Sequence, residues 1–177
     1  MRWAALLKGF NVGGKRMPMG ELKKNFEGAG LRDAKTLLAS GNIVFDSEET
    51  DGSRLEAAIE AMLAGHGLKV AVLVRNAEEI RAVIAANPFP EVAEERPNQM
   101  IVTFHRENFP TDALGRLAEI YEGPERLKAH GRELYADYPD GQGKSKLSET
   151  MPKAKFPKIA TARNWNTVVK LAEMLEA

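Results

Sequence analysis

A glycine-rich basic loop near the start of the chain is the first segment that could bind phosphate. Residues 9–15 read Gly-Phe-Asn-Val-Gly-Gly-Lys and satisfy the pattern G-x-x-x-x-G-K, in which backbone amides and the lysine hold phosphate groups. Arg16, however, stands where such loops need a magnesium-binding serine or threonine, and Pro18 delays the following helix. We therefore expect no nucleotide loop, and two interpretations stay open. One is an anion-binding nest of amides with Lys15 and Arg16, and the other is a connector without a ligand.

A second glycine-bearing loop, residues 138–148, contains the segment Lys144-Ser145-Lys146. The segment is similar to the end of the same phosphate-binding pattern, but Tyr138 stands where the first glycine belongs, and no apolar run precedes it. These departures favour a solvated loop without a ligand.

Residues 161–167 are the most unusual stretch, and we interpret them as the start of the last helix, with Thr161 as its N-cap. Acidic side chains are favoured at a helix N-terminus, because the positive end of the helix dipole lies there. This stretch instead has a cation and polar side chains without a carboxylate: Arg163, Asn164, Asn166 and Thr167. Such a set favours a bound anion. A structural network around Trp165 as a core anchor explains it equally well.

Other chemistries find little support in these residues. Cysteine is absent, which excludes disulfides, thiolate nucleophiles and cysteine-ligated metals. The histidines His66, His105 and His130 are far apart and lack metal-ligand spacing. Ser40 has no base visible in the sequence, which makes a nucleophile there improbable. We therefore predict no metal site and no cofactor.

The charges are balanced in number but not in position. The chain has 25 basic and 25 acidic residues, yet residues 1–18 carry four bases and no acid, and residues 141–170 have a net charge of +6. Residues 19–140 have a net charge of −8. Either the basic ends pair with the acidic middle, or the two ends meet and form one positive patch for an anion.

Composition indicates a globular protein outside the membrane. With 177 residues and 44% hydrophobic residues, the chain can build one or two cores. The first apolar run, residues 3–7, is shorter than the core of a signal peptide, and no run is long enough to span a bilayer. We therefore expect a cytoplasmic location.

The order of predicted elements indicates an α+β fold. Residues 3–74 show strand, helix, strand, strand, helix and strand, which is the split βαβ order of ferredoxin-like domains. A turn at residues 40–42 joins the second and third strands. Asn76 and Glu79 match a capping box for the next helix. The second half starts with strand, helix, strand and strand. We therefore predict two ferredoxin-like halves with antiparallel sheets: residues 1–87, a linker at 88–97, and residues 98–177 with a closing helix.

At these same segments the chain resembles an uncharacterised, mainly bacterial family, domain of unknown function sixteen ninety-seven. The resemblance is carried by the glycine loop at 9–14 with Pro18-Met19 after it, by the turn at 40–42, by residues 143–147 and, most specifically, by residues 160–167. It covers nearly the whole chain and implies an α+β fold of two ferredoxin-like halves. It implies no established activity and no catalytic residues. The prolines and lysines of residues 152–157 depart from the family pattern and put a helix there in doubt.

We predict a cytoplasmic binding protein for a phosphate-bearing or other anionic ligand. The ligand would meet backbone amides, basic side chains and asparagine amides from both ends of the chain, namely Asn11, Gly13, Gly14, Lys15, Arg16, Asn42, Arg163, Asn164 and Asn166. An enzyme is the alternative, because acylphosphatases are ferredoxin-like and use a basic loop and an asparagine. This is an analogy of fold only. A protein-interaction module that uses the acidic middle is a third class. Nucleic acid is a less favoured partner, and no membrane partner is expected.

Overall fold

Two four-stranded antiparallel sheets organise the chain in the computed structural model, which describes residues 1–10, 17–37 and 41–177. The chain divides into two compact units, residues 1–82 with 170–177 and residues 83–169. The first sheet has the order β2-β3-β1-β4, from the strands β1 (Arg2–Leu7), β2 (Arg32–Leu37), β3 (Asn42–Asp46) and β4 (Val72–Asn76). The second has the order β6-β7-β5-β8, from β5 (Met100–His105), β6 (Arg126–His130), β7 (Glu133–Asp137) and β8 (Ala160–Asn164). In each sheet the first strand lies between the third and fourth, as in ferredoxin-like domains, so the predicted α+β fold is confirmed.

In the first unit, two helices cover one face of the sheet. They are α1 (Met19–Gly28) and α2 (Gly52–Gly65). Alternate side chains of β1 share one buried apolar cluster with the helices: Trp3, Ala5, Leu7, Leu22, Phe26, Leu55, Ile59 and Leu63. Because successive strand residues point to opposite faces, this alternation places both helices on the same side of the sheet. This is the arrangement of a ferredoxin-like half, as the order of elements predicts.

The helix α3 (Ala77–Ala85) begins at the predicted capping box. The Asn76 side-chain oxygen accepts a hydrogen bond from the Glu79 backbone N–H at 2.8 Å, and the Glu79 carboxylate accepts one from the Asn76 N–H at 2.9 Å. These reciprocal bonds satisfy two donors that a helix N-terminus otherwise leaves without partners. The prediction is therefore confirmed in atomic detail.

Residues 88–97, the predicted linker, contain the short helix α4 (Pro90–Glu95) and the start of a 3-10 turn (Pro97–Gln99). The helix α5 (Ala113–Ile120) connects β5 to β6. None of the helices within the described ranges is long and apolar enough to cross a bilayer.

The connection from β7 to β8 contains little helix. It consists of α6 (Leu147–Thr150), which has four residues, and a 3-10 turn (Met151–Ala154). Pro152 supplies no backbone N–H, and Lys155 adopts a left-handed conformation with φ 59° that ends the turn. Arg116 on α5 donates to the Ala154 carbonyl at 2.8 Å. The doubt about a helix at residues 152–157 is therefore confirmed.

The last helix, α7 (Trp165–Glu176), begins later than we predicted. Thr161 is not its N-cap, because Thr161 and Arg163 belong to β8. Along β8 these two side chains are buried while Ala162 between them is exposed, which is the two-residue period of a strand. The residue that caps the helix is Asn164, whose side-chain oxygen accepts from the Thr167 N–H at 3.0 Å.

Candidate functional site

The structure describes only part of the predicted anion site. Asn11, Gly13, Gly14, Lys15 and Arg16 lie outside the described residues, so their role stays a prediction. The same holds for the prediction that the two basic ends of the chain form one patch. The remaining members are Asn42 in the first unit and the stretch from 163 to 166 in the second.

Asn42 is a fully buried residue at the start of β3. Its side-chain amide donates to the Leu37 carbonyl at 2.9 Å, and the two residues face each other as the last described pair of the β2–β3 ladder. Gly41 before it has φ +83°, and a Cβ there would lie 2.6 Å from the Cβ of Phe10. The Asn42 amide therefore closes the described end of the β2–β3 ladder.

Arg163 lies on β8, where the residue is only 8% exposed. Its guanidinium donates to the Thr161 hydroxyl at 2.6 Å and to the Ala162 carbonyl at 2.8 Å. Burial lowers the pKa of Arg163 to about 10, because the charged form loses hydration. Arg163 is thus a buried cation that forms hydrogen bonds with two residues of its own strand.

The two asparagines of this stretch have different surroundings. Asn164 is half-buried and uses its side-chain oxygen as the cap of α7. Asn166 is exposed on the first turn of the same helix. The structure therefore gives Asn164 a structural role and leaves Asn166 accessible to solvent.

A pocket of about 610 Å³ lies in the second unit, at the loop we interpreted as solvated. Its wall includes Lys144, Ser145 and Lys146 from that loop. The opposite part of the wall comes from the connection between α5 and β6, residues 121–125. The volume lies within the range of about 300–1,000 Å³ that is typical of small-molecule sites.

Glu125 is the centre of a hydrogen-bond network in this pocket. The Ser145 hydroxyl donates to one oxygen of its carboxylate, and the Tyr121 hydroxyl donates to the other at 2.7 Å. The Ser145 oxygen in turn accepts from the Leu147 N–H at 3.1 Å. The network therefore ties the loop that contains the two lysines to the α5–β6 connection.

Gly123 is required for the close approach of these groups. A Cβ at this position would lie 2.5 Å from the Tyr121 phenolic oxygen and 2.5 Å from a Glu125 carboxylate oxygen. Contacts under 3.0 Å force a movement of the neighbouring atoms. A side chain at residue 123 is therefore incompatible with the network as it stands.

The network keeps Glu125 ionised. Partial burial raises the pKa of its carboxyl group, but the hydrogen bonds from Ser145 and Tyr121 outweigh this effect, so that the pKa lies below its ordinary value of 4.5. Burial, together with the negative charge of Glu125, raises the pKa of Tyr138 to about 12. The pocket thus contains a fixed carboxylate and the neutral phenol of Tyr121, while the neutral phenol of Tyr138 is buried behind it.

The two lysines of the pocket are exposed and available. Within residues 1–10, 17–37 and 41–177, neither ammonium group forms an ion pair or a hydrogen bond. The acidic side chains Glu122 and Asp140 also line the pocket and are exposed. In the same described ranges, no three His, Asp or Glu side chains come together as metal ligands. With Glu125, the described lining thus has three carboxylates and two lysines, and the two lysines are the groups that can bind an anionic part of a ligand.

Sequence reasoning overlooked this pocket. The segment at 143–147 was one of the four that carry the family resemblance, and its lysines gave a signal of their own. Glu125 and Tyr121 gave none, because they lie about twenty residues before the loop and meet it only through the fold.

Comparisons with known proteins give a family and a fold. A family model described as "Protein of unknown function (DUF1697)" matches residues 1–135. The solved structure of a conserved bacterial protein from Streptococcus pneumoniae is similar with a TM-score of 0.74 and 24% identity, and the match covers 99% of this chain and 98% of that chain. At this identity the likeness shows the fold alone. No curated protein matches the sequence.

Proposed function

The chain belongs to the DUF1697 family, whose description assigns no activity, and we propose its function from the geometry of the 610 Å³ pocket. The protein binds a small anionic, phosphate-bearing ligand in this pocket. One observation carries the proposal. Lys144 and Lys146 line the pocket on either side of a serine that is fixed in position, and neither lysine is paired with a described carboxylate.

The fixed position of Ser145 matters because a ligand that binds a mobile loop must order the loop, and the entropy lost in this ordering weakens binding. The Ser145 oxygen is held between the Leu147 N–H and the Glu125 carboxylate, so the backbone between the two lysines is already in place. A preorganised site loses less entropy when the ligand binds. Hydrogen bonds between ammonium groups and phosphate oxygens are charge-assisted and therefore among the stronger ones.

The same network favours binding over serine chemistry. A general base works best with a pKa near the operating pH. The pKa of Glu125 lies below its ordinary value, so this carboxylate is a weak base for the Ser145 hydroxyl. The acylphosphatase-like alternative depends on residues 9–16, most of which lie outside the described residues, and stays a prediction. So does the cytoplasmic location.

The direct test is calorimetric titration of the full chain with inorganic phosphate and with pyrophosphate. We compare the double variant Lys144→Ala/Lys146→Ala with Lys128→Ala/Lys153→Ala, which removes the same charge from exposed positions of the same unit outside the pocket. Because a hydrogen bond to a charged group contributes about 1.5–3 kcal/mol, the first variant should bind tenfold or more weakly. The second should bind like the wild type.

Three results would count against this proposal. Equal weakening in both double variants would mean that net charge, and not this pocket, attracts the anion. Loss of binding only in Lys15→Ala/Arg16→Ala would place the site in the N-terminal loop instead. Absence of binding to both anions at millimolar concentration would refute anion binding altogether.

A further inference from the structure

A second pocket, of about 310 Å³, adjoins the first. The two share the same four wall residues, Tyr121, Glu122, Gly123 and Glu125. Beyond these, the described residues that line the second pocket are all apolar: Leu114, Leu117, Ala118, Leu127 and Leu147. A lysine-lined cavity and an aliphatic cavity therefore meet at the α5–β6 connection.

The loop joins the two pockets in sequence as well as in space. Lys146 lines the first pocket, and Leu147, the next residue, is fully buried and lines the second. The hydrogen bond from the Leu147 N–H to Ser145 fixes this junction. A ligand held by the lysines therefore lies beside an apolar wall whose position is set by the same network.

We infer that the ligand is amphiphilic, with an alkyl or acyl group of a few carbons attached to its phosphate. This inference rests on the proposed function and names the ligand class for the same site. The phosphate lies against Lys144 and Lys146, and the chain enters the pocket between Leu114 and Leu127. Transfer of the alkyl chain from water into the aliphatic pocket supplies the additional affinity.

The magnitude of the effect can be stated for each carbon. Burial of one methylene group corresponds to about a fourfold gain in affinity, from the transfer free energy of about 0.8 kcal/mol. A chain that fills the second pocket therefore strengthens binding stepwise, whereas a chain that stays in water changes the dissociation constant little.

The experiment is calorimetric titration with inorganic phosphate, methyl phosphate, propyl phosphate and hexyl phosphate. Ala118→Phe places an aromatic ring in the second pocket from an exposed position of α5, so the fold tolerates it. Ile120→Phe is the matched control, because Ile120 is 51% exposed on the same helix and lines neither pocket. Leu114→Gln is a second variant, which makes the pocket polar without filling it.

We expect affinity to rise with chain length in the wild type and in Ile120→Phe. The rise should be lost in Ala118→Phe and reduced in Leu114→Gln, while inorganic phosphate binds all four proteins alike. Equal affinity for phosphate and hexyl phosphate in the wild type would overturn this inference and leave the proposed function standing. Chain-dependent binding that persists in Ala118→Phe and Leu114→Gln would also overturn it. Chain-dependent binding that is as strong in Lys144→Ala/Lys146→Ala as in the wild type would refute the proposed function, and this inference with it.

Discussion

The Ser145 hydroxyl donates a hydrogen bond to the Glu125 carboxylate across 20 positions of sequence. This bond joins the β7–β8 connection, which has little helix of its own, to the α5–β6 connection. Since short helices and 3-10 turns are marginal alone, contacts of this kind hold such a connection in place. The network is therefore the structural support of both pockets, and its integrity can be tested apart from any ligand.

Gly123→Ala should break this support. The added Cβ would lie 2.5 Å from both the Tyr121 oxygen and a Glu125 oxygen, so the ends of both side chains must move away from their hydrogen-bonded positions. Loss of one hydrogen bond to a charged group lowers the free energy of unfolding by about 1.5–3 kcal/mol. Urea denaturation followed by circular dichroism measures the change.

Gly115→Ala provides the control for this variant. Gly115 lies within α5, and a Cβ there meets nothing within 4 Å. Alanine has the higher helix propensity by about 1 kcal/mol, so this variant should be more stable than the wild type. A similar loss in both glycine variants would contradict the role we assign to Gly123.

Glu125→Gln should show a stability difference that depends on pH. The pKa of Glu125 is lower in the folded protein than in the unfolded chain, so its contribution is fully present above the ordinary value of 4.5 and is lost as the pH falls through the folded value. The urea midpoint of the variant should therefore lie below that of the wild type at pH 7. The two should converge toward pH 3.

Glu119→Gln is the matched control for this pH experiment. Glu119 is exposed on α5 and makes no hydrogen bond or ion pair with the described part of the chain. The urea midpoint of Glu119→Gln should equal that of the wild type at both pH values. A pH-independent difference for Glu125→Gln would mean that the amide disturbs packing and that the charge contributes nothing.

The fold could be predicted from sequence because its signals are local. Apolar periods and the capping box at Asn76 each depend on a few neighbouring residues. The turn predicted at residues 40–42 lies partly outside the described residues. Boundaries were less accurate. The apolar run from Leu68 to Val74 predicts a strand, but β4 begins at Val72, because Leu68 closes the end of α2 with a hydrogen bond to the Leu63 carbonyl. Thr161 was assigned to a helix because a polar residue before an apolar stripe fits an N-cap, while the two-residue period of a short strand is a weak signal.

The site could be predicted only in part, because it depends on contacts distant in sequence. Two asparagines were chosen for their amides, yet Asn42 bonds to its partner across the β2–β3 ladder and Asn164 caps a helix. The polar side chains that stabilise the backbone and those that bind ligands are of the same residue types, so the sequence alone does not separate the two roles. The pocket at Lys144 becomes visible only when Glu125 and Tyr121 are placed beside it by the fold.

Asn76→Ala should destabilise the first turn of α3. Its side chain accepts from the Glu79 N–H, and loss of an N-cap costs about 1 kcal/mol. Glu78→Ala is the comparison, because the Glu78 side chain lies in the same turn, is exposed and bonds to no described residue. Chemical denaturation should show a larger decrease in the free energy of unfolding for Asn76→Ala than for Glu78→Ala. Equal decreases would indicate that helix-dipole effects, and not the capping box, hold this turn.

Arg163→Ala distinguishes a structural arginine from a ligand-binding one. The Arg163 side chain is buried and bonds to Thr161 and to the Ala162 carbonyl, so its removal should lower the free energy of unfolding by about 1.5–3 kcal/mol in the absence of any ligand. Lys128→Ala, which removes an exposed cation from β6 of the same sheet, should change it by less than about 0.5 kcal/mol. Phosphate should still stabilise the Arg163→Ala protein as it does the wild type, since the proposed pocket does not include this residue. If the variant instead keeps its urea midpoint and loses phosphate binding, Arg163 belongs to the anion site, and the pocket at Lys144 does not hold the phosphate alone.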